Sequence, residues 1–340
     1  MRSILTVLLA FAAGVLLTLW LPGHAAQPSA AEHPATVLPA AVAVHTPAAA
    51  DDQSNPASND WPSQGPSPEQ VMYAQPRLMR EALSGLTPRV AGKPNLYLVT
   101  FAGDGGEDVF HNEAEYAARL FTQRFGATAH SLVLENHPGT LTTHPLASWS
   151  NLESALDGLA KVMKPEQDIL MLYVSSHGDE DHNLLVDMDP LPLDQIGAQD
   201  LAGILTKRPF KWKVLVINAC YSGGFVPPLR GPGTLVLTAA RADRSSFGCG
   251  SDSDATYFGR AWLVDALNRT PDFVTAFGQA SNEIAGWEKQ DKLTPSEPQI
   301  DIGKGIAEQL AQWRKGFTPG PALAFKPVEP AVFGKAAGLW

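Results

Sequence analysis

Only two cysteines, Cys220 and Cys249, occur in 340 residues. That excludes a disulfide-stapled scaffold and any four-cysteine zinc or iron–sulfur site. Charged residues are few, at 18%, and basic ones fewer, with 25 Lys and Arg against 35 Asp and Glu. The net charge of −10 argues against a nucleic-acid partner. Internal repeats are absent. The glycine cluster Gly103–Gly106 fits neither G-x-x-x-x-G-K-[ST] nor G-x-G-x-x-G, so no phosphate cradle is expected. A single apolar run approaches membrane length, which excludes a polytopic membrane protein. With 44% hydrophobic residues the chain is nevertheless not disordered throughout.

The ends differ in kind from the middle. Ile4 to Leu21 carry no charge, follow Arg2 and precede a Gly23-His24-Ala25 step. Residues 1–22 therefore read as a signal peptide, or as a signal anchor retained as a single-pass tether. The next Lys or Arg after Arg2 is Arg77, so the segment that follows is expected on the far side of the membrane. The expected location is exported and periplasmic, soluble after cleavage or tethered to the inner membrane. Residues 23–67 are rich in Ala, Pro and Ser and read as a disordered spacer. Residues 318–340 form a Pro/Gly-rich tail that packs on the domain or stays loose. One domain, 68–317, is left between them.

Within it, four short apolar runs stand out: Leu96 to Phe101, Ile169 to Val174, Val214 to Ile217 and Leu235 to Thr238. They are continuous rather than alternating, the mark of strands buried on both faces. Ser131 to Leu134 is a weaker fifth. Helical spacing appears over 113–125, 152–163, 201–205, 258–267 and 273–287. Strands alternating with helices predict an α/β fold, a three-layer α/β/α sandwich on a mainly parallel sheet. Leu184-Leu185-Val186 and Leu191-Pro192-Leu193 flank Asp189-Pro190 and predict a small hairpin beside that sheet.

Ligands of an open parallel sheet bind beyond the carboxyl ends of its strands. The run ending at Val174 leads into Ser175-Ser176-His177-Gly178, and the run ending at Ile217 leads into Asn218-Ala219-Cys220. Taken singly, Cys220 reads as an inert buried thiol and His177 as a polar loop residue. Taken together, they bring a nucleophile and a base to one sheet edge. The Gly178 and Cys220 amides are then placed to hold an oxyanion. Tyr221-Ser222-Gly223-Gly224 adds a turn of little bulk. His177 and His182 lack the i, i+4 spacing of a zinc helix, and no metal or other cofactor is expected. Cys249 is the one available disulfide partner for Cys220, and reads more readily as a small buried residue near the pocket.

These blocks resemble the His-Gly and Ala-Cys blocks of caspases, metacaspases and legumains. Thr238-Ala239-Ala240-Arg241-Ala242-Asp243-Arg244-Ser245-Ser246 and Thr256-Tyr257-Phe258-Gly259 resemble the legumain segments that follow. Over about residues 95–265 the chain resembles the legumain-type C13 cysteine peptidases in their bacterial, membrane-associated form. The resemblance implies a caspase-like fold and a peptide or protein substrate. It implies a Cys220–His177 dyad that works through a thioester, with an oxyanion hole from the Gly178 and Cys220 amides. It also implies a specificity pocket lined by Ser245 and Ser246. Asn218, standing where legumains carry an acid two residues before the nucleophile, is grouped with them as substrate-binding. The chain departs from the pattern elsewhere. Gly103-Asp104-Gly105-Gly106 replaces an Asn-bearing loop, in which Asp104 could orient His177 or remain a solvated acid. Arg260 stands where the pocket acid is expected, so cleavage after Asn is not carried over. Two alternatives stay open: a transamidase or peptide ligase of the same family, and a non-catalytic binding domain. The oligomeric state is left open.

Overall fold

The computed structural model describes residues 61–250 and 253–327. The expectations for residues 1–22, for 23–60 of the spacer and for 328–340 of the tail lie outside the described residues. Among the described residues, no helix is long and apolar enough to cross a membrane.

A six-stranded sheet in the order β2-β1-β3-β6-β7-β8 forms the centre. Strands β1 (Leu96–Ala102), β2 (Ala129–Glu135), β3 (Ile169–Ser175), β6 (Trp212–Asn218) and β7 (Thr234–Thr238) run parallel to one another. β8 (Gln299–Ile302) closes one edge antiparallel to β7. The chain runs outward from β1 to β2 on one side, then returns to place β3 and β6 on the other. Such a switch in direction opens a crevice at the carboxyl ends of the central strands.

Successive residues of each central strand feed two cores. Leu96, Leu98, Ile169, Met171, Tyr173, Val214, Val216, Leu235 and Leu237 face one core, while Tyr97, Val99, Phe101, Leu170, Leu172, Val174, Leu215, Ile217 and Val236 face the other. That alternation is the two-residue period of a strand covered on both sides, and explains the continuous apolar runs. The first core is roofed by α2 (Asp108–Arg124), α6 (Phe273–Asp291), α7 (Ile306–Arg314) and a π-helix, Gly259–Ala266. Under the other face lie α1 (Pro68–Ser84), α3 (Trp149–Val162), α4 (Ala198–Thr206) and the single turn α5 (Val226–Leu229). The molecule is thus a three-layer α/β/α sandwich on a mostly parallel sheet, as the alternation of elements predicts.

Some elements go beyond the sequence reading. α1 has Pro76 in its interior, which weakens any helical signal there. It starts nonetheless at a capping box in which Ser67 and Gln70 bond each other's backbone N–H. The hairpin forms with other arms than expected. Asn183–Leu184 (β4) pairs with Ile196–Gly197 (β5), not 184–186 with 191–193. Pro192 has no N–H to give a ladder, and the Gln195 amide instead bonds the N–H and C=O of Val186. Residues 318–327 lie along α2: Tyr116 donates its hydroxyl to Leu323 O at 2.8 Å, and Arg124 bonds Gly320 O.

Candidate active site

Strand register sets the site. Ala102 of β1 pairs with Ser175 of β3, and Ser175 pairs with Asn218 of β6. Counting two residues past each member of this row gives Asp104, His177 and Cys220. Three chemically active side chains therefore leave three adjacent strands at one level, about 4.8 Å apart per strand.

The chain turns sharply at Cys220. Tyr221 takes a left-handed conformation, φ 55°, and starts a short 3₁₀ turn, Ser222–Phe225. For a non-glycine residue this conformation is costly, and it persists only where the surroundings enforce it. Here the Tyr221 N–H is tied to Arg244 O at 2.8 Å, and a Cβ on Gly223 would overlap the Arg241–Ala242 backbone. Ser246 lies over the half-buried thiol, donating its N–H to Cys220 Sγ at 3.2 Å with its Oγ at 3.5 Å. The Cys220 thiol is held well below its ordinary pKa. The neighbouring Cys249 thiol is the largest cause, followed by the Ser246 hydroxyl and amide and the His177 charge; burial opposes them. Cys249 is pushed the opposite way, because its proton is retained beside the Cys220 sulfur. Both cysteines are free thiols.

His177 is one-third exposed, and its ring meets Phe110 edge-on with centroids 5.0 Å apart. Its Nε2 lies 3.5 Å from Asp104 Oδ2, longer than a hydrogen bond. Asp104 is only 6% exposed, so it is no solvated loop acid, and it is fixed by the Gly106 N–H donating to Oδ1 at 2.9 Å. Next in sequence, Gly178 bridges Leu184 of the hairpin. That bridge uses the His177 C=O and the Asp179 N–H, which bond Leu185 N and Asn183 O, and spares the Gly178 N–H. A Cβ on Gly178 would overlap the carbonyl oxygen of Cys220, so only glycine allows this approach. Among the described residues, neither the Gly178 nor the Cys220 N–H donates to a backbone or side-chain acceptor.

Beneath the strand ends lies a residue that the sequence reading did not single out. Glu113 of α2 is fully buried. Its Oε2 accepts from Tyr173 (2.8 Å), Ser175 (2.6 Å) and Asn218 Nδ2 (2.7 Å), and its Oε1 accepts from the Thr256 N–H (2.7 Å) and hydroxyl (2.8 Å). One carboxylate thus joins β3, β6, α2 and the start of the π-helix. Burial and the Glu113 charge raise the Tyr173 hydroxyl well above its usual pKa, so it stays a donor. The signal was readable: Glu113 sits at i+3 from Phe110 and i−4 from Ala117, inside the apolar stripe.

The other expected residues are distributed as follows. Ser246 touches the sulfur, whereas Ser245 is exposed beside it. Asn218 is 1% exposed and points down to Glu113 and Thr256, so it braces the strand end and offers no surface to a substrate. Arg260 pairs with Asp265 at 3.0 Å and lines a surface hollow with Tyr257 and Trp287. The His182 ring packs on Gly224.

Residues 149–309 match the Peptidase C13 family. Among solved structures the chain is similar to caspase-1 from Spodoptera frugiperda, at 13% identity and a TM-score of 0.44, covering 65% of this chain and 91% of that one. No curated protein matches. The family match spans the Ser-His-Gly and Ala-Cys blocks, α3 to the start of α7 and every strand from β3 onward, and it supports a cysteine-type peptidase acting on peptides or proteins.

Proposed function

We propose that this protein is an exported endopeptidase whose Cys220 and His177 act as a catalytic dyad. The observation that carries the reading is the level placement of Asp104, His177 and Cys220 at three neighbouring strand ends, with the thiol held below its ordinary pKa. The Cys220 sulfur, its proton passed to His177, attacks the scissile carbonyl carbon, forming a C–S bond while the C=O electron pair moves onto oxygen. The spare N–H groups of Gly178 and Cys220 hold that oxyanion, each worth about 3 kcal/mol. His177 delivers its proton to the amine as the C–N bond breaks, leaving a thioester on Cys220. It then takes a proton from water, which attacks the thioester and releases the acid. Asp104 acts as a positioning residue, turning the His177 ring towards the sulfur, and Ser246 lines the pocket beside it.

The test is cleavage of a peptide library read by mass spectrometry, alongside labelling by a peptidyl acyloxymethyl ketone. Cys220→Ala should remove both cleavage and label, and His177→Ala should remove cleavage. Retained cleavage in Cys220→Ala would place the nucleophile elsewhere. Export rests on the apolar run at residues 4–21 and the lack of Lys or Arg between Arg2 and Arg77. Cell fractionation that found the full-length chain in the cytoplasm would remove it.

A further inference from the structure

A second cluster of ligating side chains lies outside the strand-end site. Glu115 follows Glu113 by two residues on α2, about 200° around the helix, and so faces elsewhere. It meets Glu135 at the end of β2 and His144 in the following loop. One ligand-capable atom from each of the three lies within 4.8 Å of the other two. His144 Nε2 is 3.5 Å from Glu115 Oε1, and His144 Nδ1 is 3.4 Å from Glu135 Oε1.

The surroundings are built around these groups. The Glu135 side chain is fully buried, and its Oε2 takes His111 Nδ1 at 2.8 Å. Its Oε1 accepts no hydrogen bond, despite complete burial, and is turned towards His144. A buried carboxylate oxygen without a donor is expensive unless something else satisfies it. Glu115 is steadied by Arg119, 3.4 Å from its other oxygen, and the Thr143 hydroxyl is 3.2 Å from His144 Nδ1. His111 is itself stacked on His137, ring centroids 4.0 Å apart.

We propose that Glu115, Glu135 and His144 bind one divalent cation of the zinc class. One imidazole and two carboxylates suit zinc or cobalt, whereas magnesium and calcium sites are built from oxygen alone. Three protein ligands leave a position for water, and His144 is one-third exposed, which gives the ion a way in. His111 supplies the supporting hydrogen bond that orients a ligating carboxylate. The bound ion ties α2 to the end of β2 and to the loop after it. α2 also carries Phe110 against His177 and Glu113 under the strand ends, so the ion steadies the helix on which the dyad rests.

Cobalt tests the site, because its spectrum separates nitrogen and oxygen ligands from the Cys220 and Cys249 thiols. The full chain, freed of metal by a chelator, is titrated with Co²⁺ and back-titrated with Zn²⁺. Ligand-field bands without thiolate-to-cobalt charge transfer are expected, at one equivalent, together with a rise in Tm. Cys220→Ser should bind equally well. His144→Ala and Glu115→Gln should each weaken binding more than about tenfold. Glu115→Gln changes a partly exposed side chain, so it keeps the test valid if His144→Ala folds poorly, and metal-free Tm values identify such a loss. Absence of binding, binding through thiolate, or binding unchanged in Glu115→Gln would overturn the proposal. Any of these would leave His144 as a bridge between two carboxylates.

Discussion

Asn218 Nδ2 donates to Glu113 Oε2 at 2.7 Å, two residues before the thiol and wholly out of water. A glutamine at 113 would turn an NH₂ group on donors that now find an acceptor. At least two hydrogen bonds to a buried charge would be lost, so Glu113→Gln should cost about 3–5 kcal/mol. In urea unfolding the midpoint should fall with the slope unchanged. Gly259→Ala should act in the same direction, because its Cβ would overlap Glu113 Oε1. A midpoint unchanged in Glu113→Gln would mean that the carboxylate does not hold the strand ends.

Asp104 offers His177 a carboxylate at 3.5 Å without a formed hydrogen bond. In the proposed mechanism its role is orientation, so Asp104→Asn should lower kcat at least about tenfold while KM stays nearly unchanged. A fall confined to stability, with kcat intact, would assign Asp104 to the fold alone.

What the sequence disclosed follows from which signals are local. The central strands were legible because burial on both faces leaves unbroken apolar runs, and β3 and β6 visibly end in Ser-Ser-His-Gly and Asn-Ala-Cys. Register was not legible. The row Ala102–Ser175–Asn218 aligns segments 43 and more residues apart, and only that alignment sets Asp104 level with His177 and Cys220. Asn218 was misjudged for a related reason. Its partner Glu113 comes from another element, so a polar residue near a nucleophile read as substrate-facing when it faces inward. β8 escaped notice because Gln299-Ile300-Asp301-Ile302 is a half-exposed edge strand with too few apolar residues to form a run.

Gly178→Ala probes the proposed oxyanion site. The added methyl would overlap the carbonyl oxygen of Cys220 and push the His177–Asp179 segment away from the thiol. The Gly178 N–H would move with it, so kcat should fall roughly 10²–10³-fold. The overpacking should cost about 1–3 kcal/mol, leaving a folded protein by circular dichroism. Alkylation of Cys220 by iodoacetamide needs no oxyanion hole and should be slowed far less than peptide cleavage. Equal slowing of both would show that the substitution acts on the thiol instead.

The depressed pKa of Cys220 makes a signed prediction about alkylation. Iodoacetamide reacts with thiolate, so its rate falls as pH drops through the thiol pKa. An ordinary cysteine loses reactivity below about pH 8.5. In the native protein, reactivity at Cys220, located by peptide mapping, should hold through neutral pH and fall only in the acid range; in urea it should fall in the ordinary range. Because the Cys249 thiol is the largest cause, Cys249→Ala should move the inflection upward. Cys249 itself, pushed upward, should label slowly throughout. An inflection in native protein that matches the urea value would mean that the Ser246 loop and the second thiol do not stabilise the thiolate, and would leave Cys220 without its activation.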